Sequence, residues 1–135
     1  MDVLLSIKPR WIEKIRSGEK TVELRKTWPK WFAGGRVYAY ETSPTKRIVG
    51  WMEVDSLVRA EPQELWEVVG QQSCVDKEAF DEYYKGKGVG CGICIKEFHP
   101  IQPLPIGIVA KCPPQSWISL TEEQSKALME TIEES

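Results

Sequence analysis

The punctuation of residues 1–26 constrains the fold more than any other feature of this chain. Residues 2–7 (Asp-Val-Leu-Leu-Ser-Ile) read as a buried strand, and Lys8-Pro9 stops it. Pro9 suits the first turn of a helix, where its missing N–H has no partner to lose. Trp11, Ile12 and Ile15 then recur on one side of a short amphipathic helix over residues 9–17. Gly18 follows as the left-handed cap. Residues 20–26 alternate, with Val22 and Leu24 on one face and Thr21, Glu23 and Arg25 on the other. A strand, a helix and a second strand with a polar face therefore follow one another without a break.

The remaining segments extend this pattern. Residues 27–35 read as a loop, 36–41 as a strand, 42–47 as a turn and 48–58 as a long strand with Gly50 as a bend or bulge. Glu61-Pro62 opens a helix through about Val69, with Leu65, Trp66 and Val69 inward. Asp76 caps a second one through about Tyr84. Residues 89–98 read as a strand in which Val89, Cys91, Ile93 and Ile95 share one parity. Pro100, Pro103 and Pro105 predict an irregular crossing, residues 107–112 a last strand, and residues 120–133 a C-terminal helix with capping-box spacing from Thr121 to Gln124. Five or six strands with interspersed short helices make an α+β fold around a small mixed barrel.

The length of 135 residues fits one domain over residues 1–135, able to bury a core without disulfide or metal staples. No apolar run is long enough for a transmembrane helix, and no membrane partner is expected. Residues 1–8 lack a basic, apolar leader, so no secretory signal is predicted. Reduced thiols at Cys74, Cys91, Cys94 and Cys112, in a cytoplasm, are the corresponding expectation. Charge is unevenly placed: residues 1–50 carry 11 Lys+Arg against 5 Asp+Glu, and residues 51–135 carry 7 against 15. Such asymmetry suits a basic face for a polyanion, or a mixed surface that merely segregates along the chain. A net charge of −2 argues against a broadly basic, non-specific duplex binder.

The pattern that carries chemistry is G-x-K-x-x-E-x-R: Gly18, Lys20, Glu23 and Arg25. Glu23 and Arg25, two apart on a strand, share a face, with Lys20 at the strand's mouth. A lysine beside a carboxylate serves as base or nucleophile when partly buried, and arginine suits bidentate recognition of phosphate or carbonyl groups. The same spacing also fits a solvated Glu–Arg pair of small energetic value.

Residues 4–9 (Leu-Leu-Ser-Ile-Lys-Pro), the short helix and Gly18-Glu-Lys-Thr-Val-Glu-Leu-Arg-Lys26 together resemble the ASCH family of PUA-like domains, named for the homology domain of the activating signal cointegrator. The likeness continues through Val37-Tyr-Ala-Tyr-Glu-Thr-Ser-Pro44, Ile48-Val-Gly50, Phe80-Asp-Glu-Tyr-Tyr-Lys-Gly86 and Pro113-Pro-Gln-Ser-Trp117, so that it spans about residues 3–118 and is similar to small stand-alone prokaryotic or phage members. The resemblance implies a PUA-like β-barrel with a groove between barrel and helices, and RNA or a modified nucleobase as ligand, in translation- or transcription-linked roles. Some small relatives deacylate N4-acetylcytidine, and others have been proposed as ribonucleases. In the amidohydrolase branch the strand reads G-x-K-x-x-T-x-R, with Lys and Thr catalytic together with a later Glu. Lys20 matches that Lys, but Glu23 stands in place of the Thr, which removes the expected nucleophile. Thr21 is displaced by two residues, about 7 Å along a strand.

Beside this motif, residues 26–32 interleave basic and aromatic side chains, able either to stack bases and track phosphates or to fold inward as a lid. Ser43, Thr45, Lys46 and Arg47 form a basic loop, and Gln115-Ser116-Trp117 a segment expected to return to the first strand. Cys91 and Cys94, three apart on a strand, send their sulfurs to opposite faces and have no second pair, so no metal site is expected there, and no cofactor. His99 is the only histidine, and its place before Pro100 suits a structural or exposed role.

The first expectation is a module binding RNA or a modified nucleoside through Lys8, Lys20, Thr21, Glu23, Arg25, Lys26, Lys46 and Arg47, with Trp28 or Tyr40 stacking and Ser43 and Gln115 contributing polar contacts. The second is a metal-independent amidohydrolase or ribonuclease using Lys20 and Glu23. The third is a protein-interaction domain in transcription regulation that uses the acidic C-terminal half.

Overall fold

The computed structural model describes residues 1–32 and 34–135; Ala33, within the predicted loop, lies outside them. Among the described residues, six strands and four α-helices form the fold: β1 (Val3–Ile7), α1 (Pro9–Ser17), β2 (Val22–Arg25), β3 (Val37–Glu41), β4 (Arg47–Ala60), α2 (Pro62–Val69), α3 (Lys77–Tyr83), β5 (Gly90–Leu104), β6 (Trp117–Ser119) and α4 (Glu122–Glu134). The strands make one sheet in the order β2-β5-β4-β3-β1-β6, curled into a half-barrel. It is mixed: β1 and β3 run parallel and the other neighbours antiparallel. The α+β class and the strand number are those predicted.

Both faces of the centre are dry. In β1, Val3, Leu5 and Ile7 enter one cluster with Ile12 and Ile15 of α1 and Val37 and Ala39 of β3. Leu4 points the other way into a second cluster with Tyr38, Tyr40, Ile48 and Leu128 of α4. A strand buried on both sides is apolar except where a polar side chain finds a partner, and in β1 the one polar residue, Ser6, donates its hydroxyl to Pro114 O at 2.7 Å. A third cluster, Val22 with Leu65 and Val69 of α2 and Phe80 and Tyr84, fixes β2 to the helices beside it. The curl follows from β4 and β5, whose pairing shifts register at Ile48/Gly50, Glu53/Val54 and Val54/Ser56; each irregularity bends the ladder and increases its twist. Gly50 lies at the first of these shifts, where an added Cβ would come within 2.7 Å of the His99 carbonyl oxygen.

The termini of the helices carry their sequence signals. Gly18 takes φ 82° and returns its N–H to Ile15 O. Asp76 accepts from Ala79 N, and Thr121 and Gln124 bond reciprocally as a capping box.

Three expectations need correction. β5 does not end before Pro100 but runs to Leu104. β2 pairs only with residues 91–94, so the second half of β5 has β4 as its sole strand neighbour and its prolines need no second donor. Val89 precedes that strand and is exposed, so it does not share the inward parity of Cys91 and Ile93. Residues 107–112 form no strand: Ile106–Ile108 is a 3-10 turn that brings Val109 into the second cluster, where its carbonyl accepts from Gln124 Nε2. The last strand is instead β6, which pairs with β1 through Leu5↔Trp117 and Val3↔Ser119. The return of Trp117 to the first strand is thereby realised as a hydrogen-bonded ladder. Cys91 and Cys94 reach different clusters, as strand parity requires.

Candidate functional site

The polar face of β2 is not solvated. Lys20 is 2 % exposed and Glu23 4 %, which removes the reading of an ordinary surface ion pair. Lys20 Nζ donates to Ser73 O at 2.5 Å and stands 3.4 Å from Glu23 Oε1. Arg25 donates through one NH2 group to Glu23 Oε2 and to Ser6 O, both at 2.8 Å, and through the other to Ser116 Oγ at 3.2 Å. A carboxylate thus lies between two cations, and the chain of charges is tied to β1 and to the segment before β6. Burial pushes the Lys20 ammonium below its ordinary pKa, and the Glu23 charge opposes that shift. The buried Nε–H of Arg25 has no acceptor among the described residues.

Local structure explains the placement. Gly18 turns the chain out of α1, and the 3-10 turn Gln71–Ser73 receives it: Thr21 N donates to Gln72 O at 3.0 Å while Lys20 reaches the next carbonyl. Val22 and Leu24 then face the third cluster, which leaves Glu23 and Arg25 directed toward β1. Tyr84 clamps the far end, its hydroxyl donating to Arg25 O at 2.9 Å.

Above this chain lies a cleft of about 540 Å³, between β2 and α1 on one side and α3 on the other. That volume is within the range of small-molecule and nucleotide sites. Of the residues singled out from sequence, Lys8, Lys20, Glu23, Arg25 and Gln115 line it. Lys26 does not line it, but its ammonium lies 4.7 Å from the centre of the ring of Tyr83, which does. Thr42 brings the start of the β3–β4 turn to the cleft, while Ser43, Lys46 and Arg47 of that turn are exposed and do not line it. Thr21 is exposed and outside the cleft.

Two stacking expectations fall elsewhere. Trp28 is 4 % exposed and packs against Phe32 and Trp117; Trp31 is the accessible ring of that loop. Tyr40 is buried in the second cluster and does not line the cleft. Trp11 and Tyr83 supply the aromatic surface instead, with Arg10 beside Trp11 at 4.6 Å. Periodicity marked Trp11 as a residue of the apolar side of a short helix and placed Tyr83 in another, but only packing shows that those helices flank an opening. Ser73 lies in no singled-out segment, and Ser116 lies in the Gln115-Ser116-Trp117 segment without having been assigned a role; the Ser73 carbonyl and the Ser116 hydroxyl reach the site through tertiary contact.

The ASCH domain sequence model matches residues 5–126. The chain belongs to the ASCH domain family. An ASCH domain-containing ribonuclease of Zymomonas mobilis subsp. mobilis is 25 % identical over 133 residues, covering 95 % of this chain and 90 % of its own. The crystal structure of ASCH from Zymomonas mobilis superposes with a TM-score of 0.86 at 26 % identity, covering 96 % of this chain and 94 % of that one. A Rhodopseudomonas palustris protein solved by NMR is similar in fold, with a TM-score of 0.52 at 19 % identity over 98 % of this chain and 92 % of that one. Among the described residues no helix is long and apolar enough to cross a membrane.

Proposed function

We propose that this ASCH domain binds single-stranded RNA in the cleft above Lys20, Glu23 and Arg25, and that RNA cleavage is its activity. The observation that carries the reading is the buried Lys20–Glu23–Arg25 chain at the floor of a cleft edged by Lys8 and Arg10, with Lys26 beside the Tyr83 ring. Cations at the edge meet phosphates, and the walls at Trp11 and Tyr83 offer π-faces to unpaired bases. The Zymomonas relative called a ribonuclease, aligned over nearly all of both chains, supports the choice of RNA.

RNA also suits the groups present. In transesterification the 2′-hydroxyl attacks the neighbouring phosphorus and the 5′-oxygen leaves, so the nucleophile comes from the substrate. The protein must position the phosphate, neutralise the charge that grows on it, accept the 2′-hydroxyl proton and allow a proton to reach the departing 5′-oxygen. Arg25, which Glu23 and Ser116 orient, would serve the second task. Deacylation of N4-acetylcytidine is less well served: the group beside Lys20 is the Glu23 carboxylate, and Thr21 lies outside the cleft.

The test is binding and cleavage of a fluorescent single-stranded RNA, with EDTA present, for the parent chain and for Arg25→Ala. Binding that weakens steeply with salt and cleavage lost in the variant are expected. Failure to bind RNA at micromolar protein in low salt overturns the proposal.

A further inference from the structure

Outside the cleft, β4 and β5 bring three ligating side chains together. Glu53 and Glu97 are direct partners across the ladder, and Trp51 pairs with His99 one step along the same face. His99 Nε2 lies 2.7 Å from Glu53 Oε1 and 3.4 Å from Glu97 Oε2. Ligand atoms of the three residues all fall within 4.8 Å of one another. The imidazole is stacked on Trp51 at 4.0 Å with 15° between the planes. Arg36 lies 3.9 Å from the centre of the same Trp51 ring. Two groups at that height cannot share one face, so the guanidinium sits behind the indole and away from the carboxylates.

From this geometry we infer a binding site for a divalent transition-metal cation, of the zinc type, formed by His99 Nε2 and the Glu53 and Glu97 carboxylates. Two independent features point to it. Like charges placed directly opposite across an antiparallel pair repel, and Glu53 and Glu97 stand in that relation with the His99 imidazole 2.7 and 3.4 Å from them. A cation at that position converts the repulsion into attraction. The stacked indole also fixes the ring plane so that Nε2 is directed between the carboxylates. Tetrahedral zinc with bonds of about 2.0–2.2 Å needs ligand atoms about 3.3 Å apart. The His99–Glu97 separation already suits this, and the His99–Glu53 contact opens by a fraction of an ångström when the ion replaces the hydrogen bond.

The donor set selects the class of ion. An imidazole nitrogen favours zinc, nickel or copper over magnesium and calcium, which take all-oxygen sites. One nitrogen and two carboxylates leave a fourth position for water, and the ligands are part-exposed, with side-chain exposures of 31 % for His99, 38 % for Glu53 and 63 % for Glu97. A site this open gives micromolar rather than structural affinity. The ion would brace the long β4–β5 ribbon next to its bulge at Glu53/Val54.

Isothermal titration of the parent protein with zinc chloride tests the assignment. One ion is expected to bind, with affinity at least 10-fold weaker in Glu97→Gln and lost in His99→Ala, and with millimolar magnesium failing to compete. Glu97 is the most exposed of the three, so its variant keeps the fold and isolates the ligand effect. Zinc binding that survives both substitutions would place the ion elsewhere, for example on Cys74 or Cys112, and overturn the inference. Absence of binding by the parent at 100 μM zinc would overturn it as well.

Discussion

Arg25 holds the Glu23 carboxylate at 2.8 Å from the same face of one strand, with Glu23 almost wholly buried and Arg25 nearly so. The pair is held there by its partners, Lys20 on the other carboxylate oxygen and Ser6 O and Ser116 Oγ on the guanidinium, while the guanidinium Nε–H has no acceptor among the described residues. Removing one member leaves the others desolvated. Glu23→Ala is expected to lower unfolding free energy by about 3–5 kcal/mol. Glu23→Gln, which keeps an acceptor for Arg25, should lose less, and urea denaturation at pH 7 distinguishes the two.

Alkaline stability should turn on Tyr84. Burial raises its hydroxyl well above the ordinary value of 10.0, so above that pH the unfolded chain loses a proton the folded chain retains. Tyr84 therefore stabilises the fold below pH 10.0, and that stability is lost as pH rises further. Lys20 acts in the opposite sense. Its folded pKa lies below the ordinary 10.5, so across the window beneath 10.5 its contribution to stability grows with pH. Tyr84→Phe should cost about 1 kcal/mol at neutral pH through the lost bond to Arg25 O, and should flatten the decline above pH 10. Urea midpoints measured from pH 7 to pH 11 check both effects.

Gly50 offers a purely steric test. A methyl group there meets the Phe98 ring and, at 2.7 Å, the His99 carbonyl oxygen, so backbone must move to admit it. Gly50→Ala is expected to destabilise by about 1–3 kcal/mol, measured as a fall in unfolding midpoint. Gly107→Ala, with open space around its Cβ, is the control.

At the cleft edge, Lys8 and Arg10 flank the start of α1 and are exposed. If each meets one phosphate, Lys8→Ala combined with Arg10→Ala should reduce the slope of log affinity against log salt by about 1.4, at about 0.7 per contact for single strands. Circular dichroism should remain unchanged, because neither side chain is part of the core. Fluorescence anisotropy with a short RNA across a salt series makes the comparison.

The elements read most clearly in the sequence are those whose signals are local. Pro9 and Gly18 bracket α1, Asp76 opens α3, and Thr121 with Gln124 opens α4, because a proline ring, a positive φ and a capping side chain act within one turn of the residue that carries them. Alternation over residues 20–26 likewise placed Glu23 and Arg25 on one face of β2. β5 and β6 were less legible for the opposite reason. A proline is compatible with a strand when its N–H would face no neighbour, and that depends on where β2 ends. Residues 117–119 become a strand only because β1 offers them an edge.

Sequence alone determined the G-x-K-x-x-E-x-R spacing and hence that Lys20, Glu23 and Arg25 belong together. Tertiary structure decided what they are. The third cluster, the Gln71–Ser73 turn and the return of Ser116 remove water from around them, and the loss of water is what turns an ordinary polar face into a buried, fixed chain of charges. The same step turned Trp28 and Tyr40 inward and brought Trp11 and Tyr83 to the cleft. Which aromatic ring meets solvent depends on what packs over it, and that information is not local to any residue.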